Sequence, residues 1–216
     1  MARDSQTDAK AKVVIATQNE HKFEELKSTL SELPYEFLPL TNWSHKAVSE
    51  TGKTFVENAV IKARYASQRA GIPAIADDSG LIVDLLRGKP GVHSSRYAGE
   101  YATDEENRNL LLDQVKAKRR AEEPVYASFV AILVFLEHAD DARPIIAEGS
   151  WQGSIIDDPR GEHGFGYDPL FLPLDSDFTA AELGPSVKNR DSHRAKAARK
   201  LMSLLSDRAL QRSTAN

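Results

Sequence analysis

Apolar and polar positions follow one another along the chain in a way that predicts a mixture of strands and helices. Residues 13–17 form a short, largely β-branched run that predicts a strand. After it, Phe23, Leu26 and Leu30 recur at helical spacing, so a loop and then a helix are expected. A second strand is predicted over residues 35–40.

Two sequence signatures mark the starts of further helices. Residues 54–57 read Thr-Phe-Val-Glu, the pattern of a capping box, and predict a helix to about Ala70 that Gly71 ends. Residues 103–106 read Thr-Asp-Glu-Glu and predict a second capped helix through about Lys118.

The second half of the chain is richer in strands. Residues 125–137 and 145–156 predict a long β-hairpin, and a last helix is expected from about Asp191 to Leu210. Helices alternate with strands early, whereas strands pair antiparallel later. This order favours an α/β fold with a mixed sheet over a purely parallel one.

Length and composition are those of one soluble domain. The chain has 216 residues, 41% of them apolar and 28% charged, which is enough to bury a substantial core. We expect one domain over residues 13–210, between a polar, disordered N-terminal tail (1–12) and a short C-terminal tail (211–216). The longest apolar run, residues 129–136, is far shorter than the roughly 20 residues that a membrane-spanning helix needs.

Net charge and the absence of cysteine exclude several classes of function. A formal charge of −4 gives no overall attraction for nucleic acid or anionic membranes, so any phosphate binding must be local. Without cysteine, thiolate nucleophiles and cysteine-ligated zinc are excluded, and a reducing, cytoplasmic location is permitted. P-loop and Rossmann fingerprints are missing, the histidines lack H-E-x-x-H spacing, and Ser79 lacks the G-x-S-x-G context.

An acidic pair, Asp77 and Asp78, stands between two strand-like segments, residues 74–76 and 81–85. Paired acids at the boundary of a strand suit a divalent cation. In an extended backbone the two side chains point to opposite faces, so a second acid from elsewhere is expected to complete the site, and Glu50 is our candidate. The alternative interpretation of the pair is an ordinary turn.

The loop between the first strand and the first helix, residues 17–22, is a candidate phosphate site. Free backbone N–H groups and the positive end of a helix can hold phosphate oxygens, and Lys22 would add a positive charge. The alternative is an ordinary strand-to-helix turn with a solvated lysine. Lys53 and Lys188 are unremarkable by themselves, since most lysines lie at the surface.

Residues 164–169, Gly-Phe-Gly-Tyr-Asp-Pro, are a candidate base-binding loop. The glycines let the backbone approach a ligand closely while Phe165 offers a ring face for stacking. A tight turn with Phe165 and Tyr167 packed into the core is the alternative. His193 and Arg194, at the start of the last predicted helix, could hydrogen-bond the edge of a base. The alternatives are that residues 188–200 form a basic, solvated helix or a weak nucleic-acid patch.

Six short motifs, taken in order, resemble those of the inosine triphosphate pyrophosphatase family, the Ham1/RdgB-like noncanonical purine nucleoside triphosphate pyrophosphatases. They are TQNEHK at 17–22, ETG at 50–52, FVENA at 55–59, ADDSG at 76–80, FGYDP at 165–169 and SHR at 192–194. The resemblance spans about residues 13–205. It implies an elongated, two-lobed α/β fold around a long twisted mixed β-sheet with a central nucleotide cleft, assembled as a homodimer.

The resemblance also implies roles for individual residues. Glu50 and Asp78 would hold Mg2+, and Asp78 would also accept the proton of the attacking water. The residues expected to contact the nucleotide are Thr17, Gln18, Asn19, Glu20, His21, Lys22, Lys53, Ser79, Phe165, Gly166, Tyr167, Asp168, Lys188, His193 and Arg194. Family members often have glycine where this chain has His21, immediately before the loop lysine.

The implied activity is hydrolysis of the α–β phosphoanhydride of ITP, dITP and XTP, which gives the monophosphate and pyrophosphate and keeps these nucleotides out of DNA and RNA. Neither a nucleic acid nor a membrane is an expected partner. Two alternatives stay open. One is a catalytically silent purine-nucleotide-binding module, and the other is a septum-inhibitor-type pyrophosphatase that acts on modified pyrimidine nucleotides.

Overall fold

A computed structural model describes residues 10–120 and 123–214, which fold around one mixed β-sheet flanked by helices. The strands are β1 (Ala11–Ile15), β2 (Tyr35–Pro39), β3 (Ala74–Val83), β4 (Val125–Leu136), β5 (Ile145–Ile155) and β6 (Phe171–Pro173). The helices are α1 (Glu20–Thr29), α2 (Phe55–Ala70), α3 (Asp104–Lys118), α4 (Pro185–Asp191) and α5 (His193–Thr214).

The sheet has the order β2-β1-β3-β4-β5-β6. β1 pairs in parallel with β2 and β3, whereas β3, β4, β5 and β6 pair antiparallel in sequence. The mixed sheet and the long hairpin predicted from the sequence are therefore confirmed. β1 pairs with β3 only through Val14 and Ile15, opposite Ala74 and Ile75. Beyond Ile75, β3 continues without β1 beside it, and this uncovered edge positions the site described below.

Both predicted capping boxes are present. Thr54 accepts a hydrogen bond from the backbone N–H of Glu57, whose carboxylate accepts one in return from the N–H of Thr54, and α2 ends at Gly71 in the left-handed conformation. Thr103 and Glu106 form the same reciprocal pair at the start of α3. Two orphan N–H groups are thus satisfied at each helix start, which explains why these boundaries were predictable.

Helices cover both faces of the sheet. α2 packs on one face through three fully buried alanines, Ala59, Ala63 and Ala66. α1 and α5 pack on the other face, where Leu26 and Leu201 belong to a common cluster with alternate residues of the central strands. A further cluster joins α3 to the far part of the hairpin and to β6, and it forms the core of the second lobe.

The structure corrects three predicted boundaries and adds one short helix. β1 begins at Ala11, so the predicted tail loses its last two residues to the sheet, and residues 1–9 lie outside the described part. The acidic pair lies inside the continuous strand β3 and not at an element boundary. The predicted last helix begins as α5 at His193, within two residues of its predicted start, and a separate short helix that was not predicted, α4, precedes it. α5 continues to Thr214 and takes up most of the predicted C-terminal tail.

Membrane association was not expected from the sequence. Among the helices of residues 10–120 and 123–214, none is both long and apolar enough to cross a bilayer.

Candidate active site

The loop between β1 and α1 is held in place by its own side chains. Asn19 is the N-cap of α1, and its side chain accepts a hydrogen bond from the backbone N–H of Lys22 at 3.1 Å. Thr17 Oγ1 accepts from the backbone N–H of Asn19 at 3.1 Å. These two bonds fix the turn so that Lys22 faces the free edge of β3, where Asp77 lies 4.0 Å from its Nζ atom.

Asp77 and Asp78 are neighbours on β3 and project to opposite faces of the sheet, as extended backbone requires. Asp77 faces α1 and α5, where Lys22 and Arg194 lie beside it. Asp78 faces α2. Because β1 ends before this point, the two carboxylates stand on either side of an uncovered strand edge. Both therefore border the same open end of the sheet.

Lys62, on α2, joins Glu50 to Asp78. Its Nζ atom lies 2.6 Å from Asp78 Oδ1 and 3.0 Å from Glu50 Oε1. Since both carboxylates contact the same nitrogen, the two acids, 28 positions apart in sequence, converge closely enough to share one small cation or its bound waters. Glu50 and Asp78, which we paired from the sequence, therefore lie close together in the structure.

The charges around these acids set their titration. Burial raises the pKa of Asp78, and the nearby Lys62 ammonium only partly offsets that effect. Burial would also raise the pKa of Glu50, but the charge and hydrogen bond of Lys62 together with Arg96 lower it below its usual range. Arg96 Nη1 donates to Glu50 Oε2 at 3.3 Å. Burial would lower the pKa of Lys62, yet Asp78 and Asp77 raise it, so this lysine stays charged.

On the other side of β3, Asp77 belongs to a second polar cluster. Ser79 Oγ donates to Asp77 Oδ2 at 3.3 Å and accepts from Arg194 Nη2 at 3.0 Å. Burial is the main reason that the pKa of Lys22 is lowered, although Asp77 opposes the shift. The predicted residues Lys22, Ser79 and Arg194 are therefore in contact with one another through Asp77.

The donor set suits a hard divalent cation such as Mg2+. Asp77 Oδ1 and Asp78 Oδ2 are buried, and within residues 10–120 and 123–214 neither has a hydrogen-bond partner. No group of three or more His, Cys, Asp or Glu side chains converges on a metal-sized space in that part of the chain. Magnesium takes one or two protein carboxylates and completes its shell with waters and substrate phosphates, so the acids present fit it.

The base-binding loop is anchored on both sides. Tyr167 is buried and its hydroxyl donates to the backbone carbonyl of Ser94 at 2.9 Å. Asp168 is buried and accepts from the N–H of Phe165 at 3.2 Å and from Lys188 Nζ at 2.5 Å. Phe165 is 51% exposed, so only Tyr167 follows the alternative in which both aromatic residues are packed inside.

His193 and Arg194 open α5 and lie against this loop. The guanidinium of Arg194 lies 5.2 Å from the centroid of the Phe165 ring. His193 is buried and stacks on Phe129 of β4, with ring centroids 5.0 Å apart and planes 13° apart. Burial, reinforced by Arg194 and neighbouring lysines, holds the pKa of His193 well below its usual value, so the imidazole is neutral. A neutral imidazole can donate and accept one hydrogen bond each.

Three adjoining cavities follow this arrangement. The largest of them, about 240 Å³, is lined by the β1–α1 loop together with Glu50, Lys62 and Asp77. Cavities of about 100 and 210 Å³ adjoin Phe165, and both are lined by Asp168, His193 and Arg194. Polar, charged groups therefore line one end of the cleft, and an aromatic ring with hydrogen-bonding groups lines the other. This division suits a ligand with an anionic part and a planar part.

Three of the predicted contact residues lie elsewhere or are not described. Lys53 is exposed, and its backbone N–H donates to Glu57 in the cap of α2. Glu20 lines a separate cavity beside Phe23 and Thr41 rather than the acidic cleft. The side chain of His21 lies outside the described part, so the effect of this residue on the loop stays a prediction.

Sequence reasoning missed Lys62 and Arg96. A signal for Lys62 was available in the sequence. Asn58 and Lys62 are polar residues four positions apart on α2, and each is followed directly by an alanine, Ala59 and Ala63, of the helix face that packs on the sheet. Asn58 is fully buried, and its side chain accepts a hydrogen bond from the N–H of Gly52, the last residue of the ETG motif that begins with Glu50. A polar i, i+4 pair that faces inward is a recognisable mark of a site.

Known proteins share both the sequence and the fold. Residues 13–204 match the model of the Ham1 family. The dITP/XTP pyrophosphatase of Vibrio parahaemolyticus is 46% identical over 200 residues, covering 93% of this chain and 99% of that protein. The dITP/XTP pyrophosphatase of Haemophilus influenzae is 48% identical over 196 residues, covering 91% and 100%.

Two solved structures extend the similarity to three dimensions. A HAM1 protein from Coxiella burnetii superposes with a TM-score of 0.85 at 44% identity, covering 91% of this chain and 99% of that one. The Ham1 protein of Staphylococcus aureus gives a TM-score of 0.81 at 35% identity, with the same coverage. Since the matched segment contains the sheet from Val13 onward and every site residue described above, this chain belongs to the Ham1 family.

Proposed function

We propose that this protein is a nucleoside triphosphate pyrophosphohydrolase that cleaves the α–β phosphoanhydride of dITP, ITP and XTP. The observation that carries the proposal is that Glu50 and Asp78 converge on Lys62. Beside them lies the loop whose Asn19 caps helix α1 and which leads to Lys22. Acids that hold a cation and lysines that face phosphate are what phosphoanhydride hydrolysis requires. The relatives named for dITP and XTP support the choice of substrate.

The triphosphate is proposed to lie in the larger cavity. Lys22 and Lys62 supply positive charge there, and Asn19 holds the backbone N–H of Lys22 in the first turn of α1. The positive end of that helix adds to the attraction for phosphate oxygens. These groups stabilise the negative charge that develops on the departing pyrophosphate.

Asp78 is proposed to accept the proton of the attacking water. The water oxygen bonds to the α-phosphorus, the bond from that phosphorus to the bridging oxygen breaks, and pyrophosphate leaves with the bridging oxygen. Burial raises the pKa of Asp78, which makes its carboxylate a stronger proton acceptor than an exposed aspartate.

Magnesium is part of the proposal. Glu50 and Asp78 would hold it, and Asp77 lines the same cavity as Glu50. When bound, the ion neutralises phosphate charge and lowers the pKa of a coordinated water.

The base is proposed to lie against Phe165 and to be read by its edge. A neutral His193, Arg194, Asp168 and Lys188 line the cavities beside the ring. A site that pairs with a 6-keto group and N1–H leaves polar groups unpaired when adenine enters, which can cost several orders of magnitude in kcat/KM.

We further propose that the protein works in the cytoplasm as a homodimer, as the family resemblance implies. Sedimentation at micromolar concentration tests the assembly: a dimer is expected, and a monomer at all concentrations would contradict it.

The deciding experiment measures pyrophosphate release from ITP, dITP, XTP, GTP, ATP and dUTP with magnesium present. Turnover of the first three, and kcat/KM at least about 100-fold lower for GTP and ATP, is the expected result. Equal turnover of ITP and GTP would refute the substrate assignment. Preference for dUTP would favour the pyrimidine alternative, and tight ITP binding without product would favour the silent binding module.

A further inference from the structure

The start of α3 contacts the base-binding loop at its glycine. The N–H of Gly166 donates to Asp104 Oδ2 at 2.6 Å, and Arg108 Nη1 donates to the carbonyl of Gly166 at 2.8 Å. Asp104 and Arg108 are four residues apart, so they share one face of the helix. The two peptide groups that flank Gly166 are thus each held by a charged side chain.

These two bonds act where the loop has the most conformational freedom. Gly166 has a φ of +61°, and an added Cβ would meet no atom within 4 Å, so packing does not fix its backbone. Its successor Tyr167 is fixed by burial and by Ser94. The peptide between Phe165 and Gly166 is held from two sides, because its N–H donates to Asp104 at 2.6 Å and its carbonyl accepts from the N–H of Asp168 at 3.3 Å. Asp104 makes the shorter, charge-assisted bond of the two, so the orientation of Phe165 depends on it.

α3 is a rigid support for this task. Its first turn is closed by the capping box of Thr103 and Glu106, and Leu111 and Val115 are fully buried in the core of the second lobe. Asp104 and Arg108 both lie in the first two turns of this helix. Charge-assisted hydrogen bonds of this kind are roughly twice as strong as neutral ones.

We propose that Asp104 and Arg108 are positioning residues that hold the Gly166 backbone and thereby set the Phe165 ring in the orientation that stacks on the base. Asp104 lines the cavity of about 100 Å³ beside Phe165, and neither side chain lies among the acids proposed to act on the phosphates. Losing either one weakens ligands that carry a base and leaves ligands made of phosphate alone unaffected. The claim that the ring stacks on a base rests on the function proposed above. The claim that Asp104 and Arg108 hold the loop backbone concerns the free protein.

The test uses the variants Asp104→Ala and Arg108→Met on the full chain. Matched controls are Glu105→Gln, which removes an acid from the same helical turn, and Lys116→Met, which removes an exposed cation from the same helix. Three quantities are measured: amide hydrogen exchange of residues 164–167 in the free protein, calorimetric affinity for IMP and for pyrophosphate, and kcat and KM for ITP.

Each variant is expected to raise the exchange rate of the loop amides about tenfold and to weaken IMP about fivefold to tenfold. KM for ITP rises by a similar factor, whereas kcat and pyrophosphate affinity stay within about twofold of the starting protein. Asp104→Asn keeps an oxygen that can accept from Gly166, so it is expected to recover most of the IMP affinity. The two controls are expected to change none of these quantities.

Unchanged exchange in the loop would overturn the proposal, and so would unchanged IMP affinity or an equal loss for IMP and pyrophosphate. If the protein hydrolyses no nucleotide, the proposed function fails, and the exchange rates still decide whether Asp104 and Arg108 hold the loop.

Discussion

Lys62 Nζ lies 2.6 Å from Asp78 Oδ1 and so connects helix α2 to the central strand β3. The contact is made just beyond the point where β1 stops pairing with β3. The same nitrogen lies 3.0 Å from Glu50. Two acids that converge in a buried place repel one another unless a cation lies between them. Lys62 supplies that cation within the protein, and its removal is the most informative single change in the site.

The first prediction compares Lys62→Met with Lys53→Met. Lys62 is partly buried beside Asp78 and faces the cavity proposed for phosphates, whereas Lys53 is exposed. We expect Lys62→Met to lower kcat/KM for ITP by about 100-fold or more, as loss of a group that stabilises developing charge does, and Lys53→Met to cost less than about threefold. Steady-state pyrophosphate release measures both. A larger loss for Lys53→Met would restore the role that the family resemblance implied for that residue.

The second prediction concerns the proton acceptor. Asp78→Asn keeps the shape of the side chain but removes its ability to take a proton, so turnover of ITP is expected to fall by about 100-fold to 10,000-fold. Asp84→Asn, an exposed acid just after the same strand, serves as the control and is expected to retain activity. Circular dichroism should show that both variants are folded. Full turnover by Asp78→Asn would assign the proton acceptor to another residue.

The features of the fold that could be predicted from the sequence are those decided by residues close together in the chain. The capping boxes at Thr54 and Thr103 and the end of α2 at Gly71 were predictable because each is decided by residues within one helical turn. The acidic pair was placed at an element boundary, because Asp, Ser and Gly favour turns. Pairing of β3 with β4 along its whole length overrides that local preference and keeps the segment extended.

The site shows the same limit. The resemblance to a family paired Glu50 with Asp78, but only the fold reveals that Lys62 lies between them, because α2 must first dock on β3. Arg96 reaches Glu50 across 46 positions from a short helical turn with no pattern of its own. Contacts of that kind depend on tertiary packing, which a local pattern of residues does not encode.

The third prediction concerns Gly149 on β5, which lies directly under the first turn of α5. A Cβ at this position would collide with the backbone carbonyl of His193 and the backbone N–H of Ala197. Gly149→Ala is therefore expected to destabilise the protein by about 1–3 kcal/mol and to raise KM for ITP, since α5 must move with His193. Gly184→Ala, where an added Cβ meets nothing within 4 Å, is the control and should cost less than about 1 kcal/mol. Urea unfolding measures both, and equal stability of the two variants would contradict the close approach of α5 to β5.

The last prediction links the buried imidazole of His193 to the pH dependence of stability. His193 stacks on Phe129, and the charged groups that lower its pKa, after burial itself, are Arg194, Lys188, Lys22 and Lys196. Because the folded-state pKa lies well below 6.5, the unfolded chain binds a proton near pH 6.5 while the folded protein does not. Lowering the pH below about 6.5 therefore favours unfolding, whereas at higher pH this contribution to stability is fully present.

Between pH 7.5 and 5.5 this one group should lower the free energy of unfolding by at most about 1.4 kcal/mol, the limit for an imidazole that stays neutral in the folded protein. The variant His193→Gln should therefore show a smaller difference in the free energy of unfolding between the two pH values, even if it is less stable at both. His45→Gln, at an exposed position, is the matched control and should leave the difference as it is in the starting protein. Urea unfolding at the two pH values gives the answer. If His193→Gln and His45→Gln showed the same difference, a neutral His193 in the folded protein would be disproved, and a base site that relies on a neutral imidazole at this position would be disproved with it.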